Sequence, residues 1–170
     1  MEKKGEISYN MENITQEEIN RLLEVMKIEQ NGEKIIFTCE RKKEYFLKNE
    51  IENRELFRLV FITNKDPRKK TMTILKDNFI LKRIDINGWH KNPDYLTGIP
   101  LLDKYSGQFI EETHVHFSLA DIEKEDSWAV PLYEVFSEKS IEKILDFFGK
   151  TTGIKEKILY EPKIENLKLF

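Results

Sequence analysis

Apolar positions repeat along the chain first with the period of a helix and then with that of strands. Ile19, Leu22, Leu23 and Met26 fall at i, i+3, i+4 and i+7, which is one helical face. Thr15-Gln16-Glu17-Glu18 ahead of them matches a capping box, with Thr15 accepting from an early backbone N–H and Glu18 reaching back. Asn31-Gly32, both tolerant of left-handed backbone angles, end or follow this helix. Five runs then read as strands: Lys34–Glu40, Glu44–Ile51, Leu56–Thr63, Thr71–Leu75 and Phe79–Ile86. β-Branched and aromatic residues dominate them, and the short spacers favour antiparallel hairpins.

The pattern breaks from Asn87 to Gln108, where Asn87-Gly88, Asn92-Pro93-Asp94, Gly98, Pro100 and Gly107 all mark turns. Irregular connections of this length inside a domain are uncommon and more often functional. Two further strands follow, Thr113–Leu119 and Ser127–Leu132. A second helix is expected after Phe136, capped by Ser137 or Ser140, with Ile141, Ile144, Leu145 and Phe148 as its apolar stripe and Gly149 as its stop. Residues 1–13 are polar and expected to be loose, whereas Ile154–Phe170 is apolar enough to dock. These elements predict a single α+β domain over residues 1–170: an antiparallel sheet of about five to seven strands with N- and C-terminal helices packed on one face.

Composition narrows the classes. The 170 residues are 39 % apolar and 35 % charged, with mixed sign and a net charge of −3, which argues against a chain coated in nucleic acid but permits a local basic site. The basic turn Lys65–Lys70 suits phosphate contact or a solvated hairpin tip. The lone Cys39, in a strand-like run, reads as a buried thiol. No apolar run reaches the roughly 20 residues needed to span a bilayer, and no signal peptide opens the chain, so a cytoplasmic, membrane-free protein is expected. No phosphate-cradling glycine loop is present, which argues against P-loop nucleotide hydrolysis.

The chemistry-bearing residues cluster. In Thr113–Leu119 strand alternation puts Val115, Phe117 and Leu119 on one face and His114, His116 and Ser118 on the other. Two imidazoles about 7 Å apart along a strand suit metal ligation or paired proton transfer at a phosphate. On the preceding long strand Leu81, Arg83 and Asp85 share a face, and His90 follows five residues after Asp85. All three histidines thus lie within 27 positions, and imidazole titrates near neutrality. His114, His116, His90 and Asp85 are the candidate catalytic residues. Arg83, Asn87, Asn92, Asp94 and Trp128 are the candidates for substrate binding. Asp85 also suits an ion pair with Arg83. Trp128 suits stacking on a base or, with Val130 and Leu132 on its face, a core position. Ser118 lacks the glycine-flanked elbow of a nucleophile. A metal is a possible cofactor, since Asp85 and the three histidines could supply ligands, but proton transfer is the favoured use.

Arg83-Ile84-Asp85-Ile86-Asn87-Gly88, His90, Asn92-Pro93-Asp94, His114-Val115-His116-Phe117 and Trp128-Ala129-Val130-Pro131-Leu132, in this order, resemble a small bacterial family of unknown function. Two segments depart from its pattern. Tyr95–Thr113 is insertion-like, with Glu112-Thr113 where Gly-Pro precedes the histidines, and Glu123-Lys124-Glu125-Asp126 replaces a glycine-rich turn. The resemblance implies a setting in mobile DNA and conflict systems, as a toxin or as a factor that counters a host defence.

Two functions are therefore expected to compete. The first is histidine-based cleavage of a phosphodiester in RNA or a signalling nucleotide, with His114 and His116 as acid and base, Asp85 orienting a histidine, His90 as a third donor, and Arg83 or a nearby lysine stabilising the charged phosphate. The second is a non-catalytic inhibitor, anti-CRISPR-like, that blocks a defence or nucleic-acid-handling complex through acidic runs such as Glu111-Glu112 and Glu123–Asp126. A metal-dependent enzyme acting on a small molecule is a weaker third.

Overall fold

The computed structural model describes residues 13–120 and 126–162. The expected looseness of the first twelve residues, the docking of the tail beyond Pro162 and the charges of Glu123-Lys124-Glu125 lie outside the described residues.

Helix α1 spans Gln16–Glu24, with the Thr15 hydroxyl accepting from the Glu18 N–H at 3.2 Å. It stops well short of Asn31-Gly32. Val25 leaves helical geometry, Met26 is exposed, and Lys27–Glu29 forms strand β1. The reason is Lys27, whose side chain turns inward. Its ammonium donates to the carbonyls of Leu23 (3.4 Å), Val25 (2.9 Å) and Thr152 (2.6 Å). One buried amino group thus satisfies carbonyls at the ends of two helices, where the backbone lacks its own donors.

The chain continues through β2 (Ile36–Thr38), β3 (Lys42–Asn49), β4 (Leu56–Thr63), β5 (Lys70–Lys76), β6 (Phe79–Ile86), β7 (His90–Lys91), α2 (Pro100–Asp103), β8 (Phe109–Ile110), β9 (His114–Phe117), β10 (Trp128–Pro131), α3 (Ile141–Thr151) and β11 (Leu159–Glu161). Seven strands form one antiparallel sheet in the order β1-β3-β4-β5-β6-β9-β10. β2 leaves this sheet and pairs in parallel with β11, Leu159–Glu161 lying beside Ile36–Thr38. β7 and β8 form a two-residue ladder of their own.

Alternation along the strands gives the sheet one apolar face. Leu47, Phe57, Leu59, Phe61, Met72, Ile74, Ile84, Val115 and Val130 share a buried core with Ile19 and Leu22 of α1 and Ile144, Leu145 and Phe148 of α3. Each such side chain contributes about 1.5–3 kcal/mol on burial, so this face fixes the register of every strand. Helix α3 is capped by Ser140, which accepts from the Lys143 N–H at 3.3 Å. It runs through Gly149 to Thr151 instead of stopping at the glycine, and a Cβ on Gly149 would meet Ile158 in ordinary contact at 3.7 Å. The turn comes at Gly153, at φ 72°, where a Cβ would lie 2.3 Å from the Val25 carbonyl oxygen. No helix among the described residues is long and apolar enough to cross a membrane.

Candidate functional site

The site is built on the sheet's other face. The register sets Thr71 opposite Asp85, Asp85 opposite His114, and His114 opposite Pro131. The next row on the same face is Thr73, Arg83, His116 and Ala129. Cross-strand neighbours sit about 5 Å apart at Cβ, so two adjacent rows gather Asp85, Arg83 and both histidines into one patch. Val115 and Phe117 must face the core, and alternation then sends His114 and His116 here.

Asp85 is the hub. Its Oδ1 accepts from the Thr71 hydroxyl at 2.7 Å and from Arg83 Nε at 3.0 Å. Its Oδ2 lies 2.9 Å from Arg83 Nη2, 3.0 Å from His116 Nε2 and 3.3 Å from His114 Nε2. Arg83 also reaches Asp126 Oδ2 at 3.2 Å. Burial alone would raise the Asp85 carboxyl, but the two imidazoles and the Arg83 guanidinium outweigh it and hold the group far below the usual carboxylate range. It is therefore ionised.

Each histidine is anchored to a backbone carbonyl: His114 Nδ1 to Glu112 at 2.6 Å, His116 Nδ1 to Asp126 at 2.7 Å, and His90 Nε2 to Ser127 at 2.7 Å. A carbonyl only accepts, so the anchored nitrogen of each ring carries a proton and donates it. The His90 ring stands 4.7 Å from His116 and 6.1 Å from His114, centroid to centroid. His114 and His116 are 0 % and 2 % exposed, whereas His90 is half-buried and is the imidazole nearest solvent. Burial pushes His90 below the usual imidazole range, the Ser127 carbonyl opposes this, and positive charge at His116, His114 and Arg83 adds to the lowering.

The irregular segment after β6 wraps the β10 side of this patch. Asn92, 1 % exposed, holds it there. Its amide donates to the carbonyls of Ala129 (2.7 Å) and Tyr105 (3.1 Å) and accepts from the Ala129 N–H (2.9 Å). Beside the histidines lies a cleft of about 400 Å³ lined by Lys69, Asn87, Gly88, Trp89, Phe109 and Glu111. Gly88 separates the two, since a Cβ on it would lie 3.0 Å from Asp85 Cβ and 3.3 Å from His114 Cε1. Trp89 and Phe109 are 65 % and 57 % exposed, and their rings are 5.7 Å apart. Lys91 Nζ stands 5.1 Å from the Phe109 ring.

Of the residues expected at the site, His90, His114, His116, Asp85 and Arg83 come together. Asn87, at φ 53°, stands on the cleft rim, its amide tied to the Arg68 carbonyl at 2.9 Å. Asn92 and Trp128 do not reach a ligand. Asn92 spends its polar atoms on backbone, and Trp128 is wholly buried, its indole N–H 3.4 Å from the Tyr95 hydroxyl. Asp94 packs over Gly107, away from the histidines. Ser118 donates to the Ile80 carbonyl, which removes it as a nucleophile. In the basic turn Arg68 pairs with Asp66 at 2.9 Å, and Lys69 enters the cleft. Thr71, Asp126, Gly88, Trp89 and Phe109 were missed. Thr71 alone was signalled, as a polar residue on the solvent parity of an apolar strand.

No curated protein and no solved structure matches the chain. A family profile does match, over residues 14–154, and that span takes in every site residue above. The chain belongs to DUF6978, a family of unknown function.

Proposed function

We propose that this protein cleaves a phosphodiester bond in RNA or a signalling nucleotide, with the histidine cluster as its active centre. The observation that carries this reading is the set of three imidazoles around one ionised, buried aspartate, separated by a single glycine from a cleft with exposed aromatic and cationic walls. His90 is the base that meets the substrate. It takes a proton from a water or a ribose hydroxyl, and that oxygen bonds to phosphorus as the P–O bond to the leaving oxygen breaks. The leaving oxygen takes its proton from the His114–His116 pair in its singly protonated form, whose extra positive charge the Asp85 carboxylate offsets, so the pair ends neutral as His90 ends protonated. Lys69 neutralises the phosphate, and Trp89 and Phe109 stack on a base.

The test is cleavage of labelled cellular RNA and cyclic oligonucleotides by wild type, His90→Ala and the His114→Ala/His116→Ala double variant, each checked for folding by circular dichroism. Loss of cleavage in both folded variants supports the proposal. Unchanged cleavage in either overturns it.

A second reading has its own observation. The loop displays Trp89, Tyr95, Leu96, Ile99 and Phe109, all 42–74 % exposed, as a protein-binding patch would. On this reading the chain is a non-catalytic inhibitor of a bacterial defence complex. A stoichiometric complex with such a partner, unaffected by His114→Ala, would favour it.

A further inference from the structure

We infer that Asp85, His114 and His116 form a site for one divalent transition-metal ion, of which Zn²⁺ is the best match. The inference concerns the same side chains as the cleavage reading but does not require it, because it rests on ligand geometry alone.

The three ligand atoms, Asp85 Oδ2 and the two Nε2 atoms, lie within 4.8 Å of one another and all three residues are buried. Both Nδ1 atoms are held by carbonyls, which leaves both Nε2 atoms facing the same Asp85 oxygen, at 3.0 and 3.3 Å. The Arg83 guanidinium meets the oxygen at 2.9 Å, and a metal ion would engage the two nitrogens together with it. His116 Nε2 is within hydrogen-bond reach of Asp85 Oδ2, at 3.0 Å. Among the described residues His114 Nε2 is buried with no hydrogen-bond partner, and it faces Asp85 Oδ2 at 3.3 Å. A metal ion engages all three atoms at once.

The distances fit. Bonds of about 2.0–2.1 Å in a tetrahedral site put neighbouring ligand atoms about 3.4 Å apart, close to the two nitrogen–oxygen separations here. The surroundings fit as well. Imidazole ligands of metals are held by carbonyls or carboxylates through their other nitrogen, and carboxylate ligands are themselves hydrogen-bonded. Glu112 and Asp126 supply the carbonyls, while Thr71 and Arg83 hold the Asp85 carboxylate. Arg83 shares its charge between Asp85 and Asp126, so the three groups sum to −1 and can accept a dication. Two imidazoles, one carboxylate and no thiolate favour zinc and its neighbours over calcium or magnesium. Three protein ligands leave a fourth position for water, on the pattern of catalytic sites.

The experiment uses the full-length, tag-free chain, stripped with chelator and titrated with ZnCl₂ by calorimetry, then with CoCl₂ by visible absorption. One equivalent bound per chain is expected, with the absorption of four-coordinate cobalt. In His114→Gln and Asp85→Asn, affinity should fall at least about tenfold, as loss of even an outer partner does. In case those variants misfold, ¹⁵N shifts of the wild-type histidines give a second readout: zinc should move Nε2 of His114 and His116 while Nδ1 stays protonated. No stoichiometric uptake, or uptake that leaves these shifts and the variants' affinity unchanged, overturns the site. Uptake without cleavage of any RNA or nucleotide sustains the site and sinks the cleavage reading. Cleavage by stripped protein that takes up no zinc does the reverse.

Discussion

Asn92→Ala is the substitution whose cost the structure fixes most closely. The native amide makes three buried hydrogen bonds, two to the backbone of Ala129 and one to Tyr105. The Tyr105 carbonyl keeps another donor, the Gln108 N–H at 3.1 Å, so its loss is small. Both outward groups of Ala129 are stripped. A buried polar group left bare costs about 1–3 kcal/mol, so two cost about 2–6 kcal/mol, and the vacated amide adds a cavity. A loss of about 4 kcal/mol is a large share of the usual 5–15 kcal/mol total. Urea unfolding followed by circular dichroism measures it, with hydrogen exchange at Ala129 as the local readout. Asn92→Asp provides the check on mechanism. It keeps the acceptor for the Ala129 N–H but faces two carbonyls with a carboxylate, so it should be no better than alanine at pH 7 and should recover in acid. A cost for Asn92→Ala below about 1 kcal/mol, with Ala129 still protected, would show that water or relaxation satisfies these groups, and the reasoning would fail.

Three further outcomes follow from other parts of the molecule. Gly88→Ala forces a methyl against Asp85 and His114, so cleavage or zinc affinity should drop about tenfold or more while stability falls by only about 1 kcal/mol; equal loss of both in melts and assays would reassign Gly88 to folding. Trp89→Ala should weaken nucleotide binding by roughly fivefold to a hundredfold, since a stacked base is worth about 1–3 kcal/mol. Fluorescence quenching reads this in the wild type because Trp128 is buried, and affinity within twofold of wild type would remove the stacking role. Burial pushes Lys27 down to about 7, partly opposed by Glu55 and reinforced by Arg21. The unfolded chain then holds this proton above pH 7 and the folded chain releases it, so stability should rise from pH 7 to 9 by up to about 2 kcal/mol. Urea midpoints across that range should climb in wild type and stay flatter in Lys27→Met; identical slopes would show that the ammonium stays charged.

Much of the site was legible because it follows from strand parity. Val115 and Phe117 had to be buried, which sent His114 and His116 to the opposite face, and the parity of Arg83 and Asp85 did the same one strand away. What parity cannot supply is register: nothing local says that Asp85 meets His114 and Arg83 meets His116 across two separately folded segments. The caps at Thr15 and Ser140 were equally plain, since they depend on a few adjacent residues. Misreadings arose where a distant contact overrode a local pattern. Met26 completes a helical stripe, yet Lys27 ends the helix by bonding to Thr152, far along the chain. Asn92 looks like a loop residue free to bind a ligand because its partners on β10 lie 37 positions away. Trp89 and Phe109 become neighbours only through the short β7–β8 ladder.

The loop that carries His90 also decides how the sheet ends. An edge strand with bare N–H and C=O groups invites another chain to add to it, and β10 would be such an edge. Asn92 takes the outward groups of Ala129, and His90 takes the Ser127 carbonyl. At the far edge, β1 donates from Lys27 to the Gly153 carbonyl at 2.7 Å and accepts from the Lys155 N–H at 2.9 Å. A partner that binds by strand addition must first displace one of these segments. At β10 that means pulling His90 away from the cluster, so growth of the sheet and an intact histidine site are mutually exclusive states of the same chain.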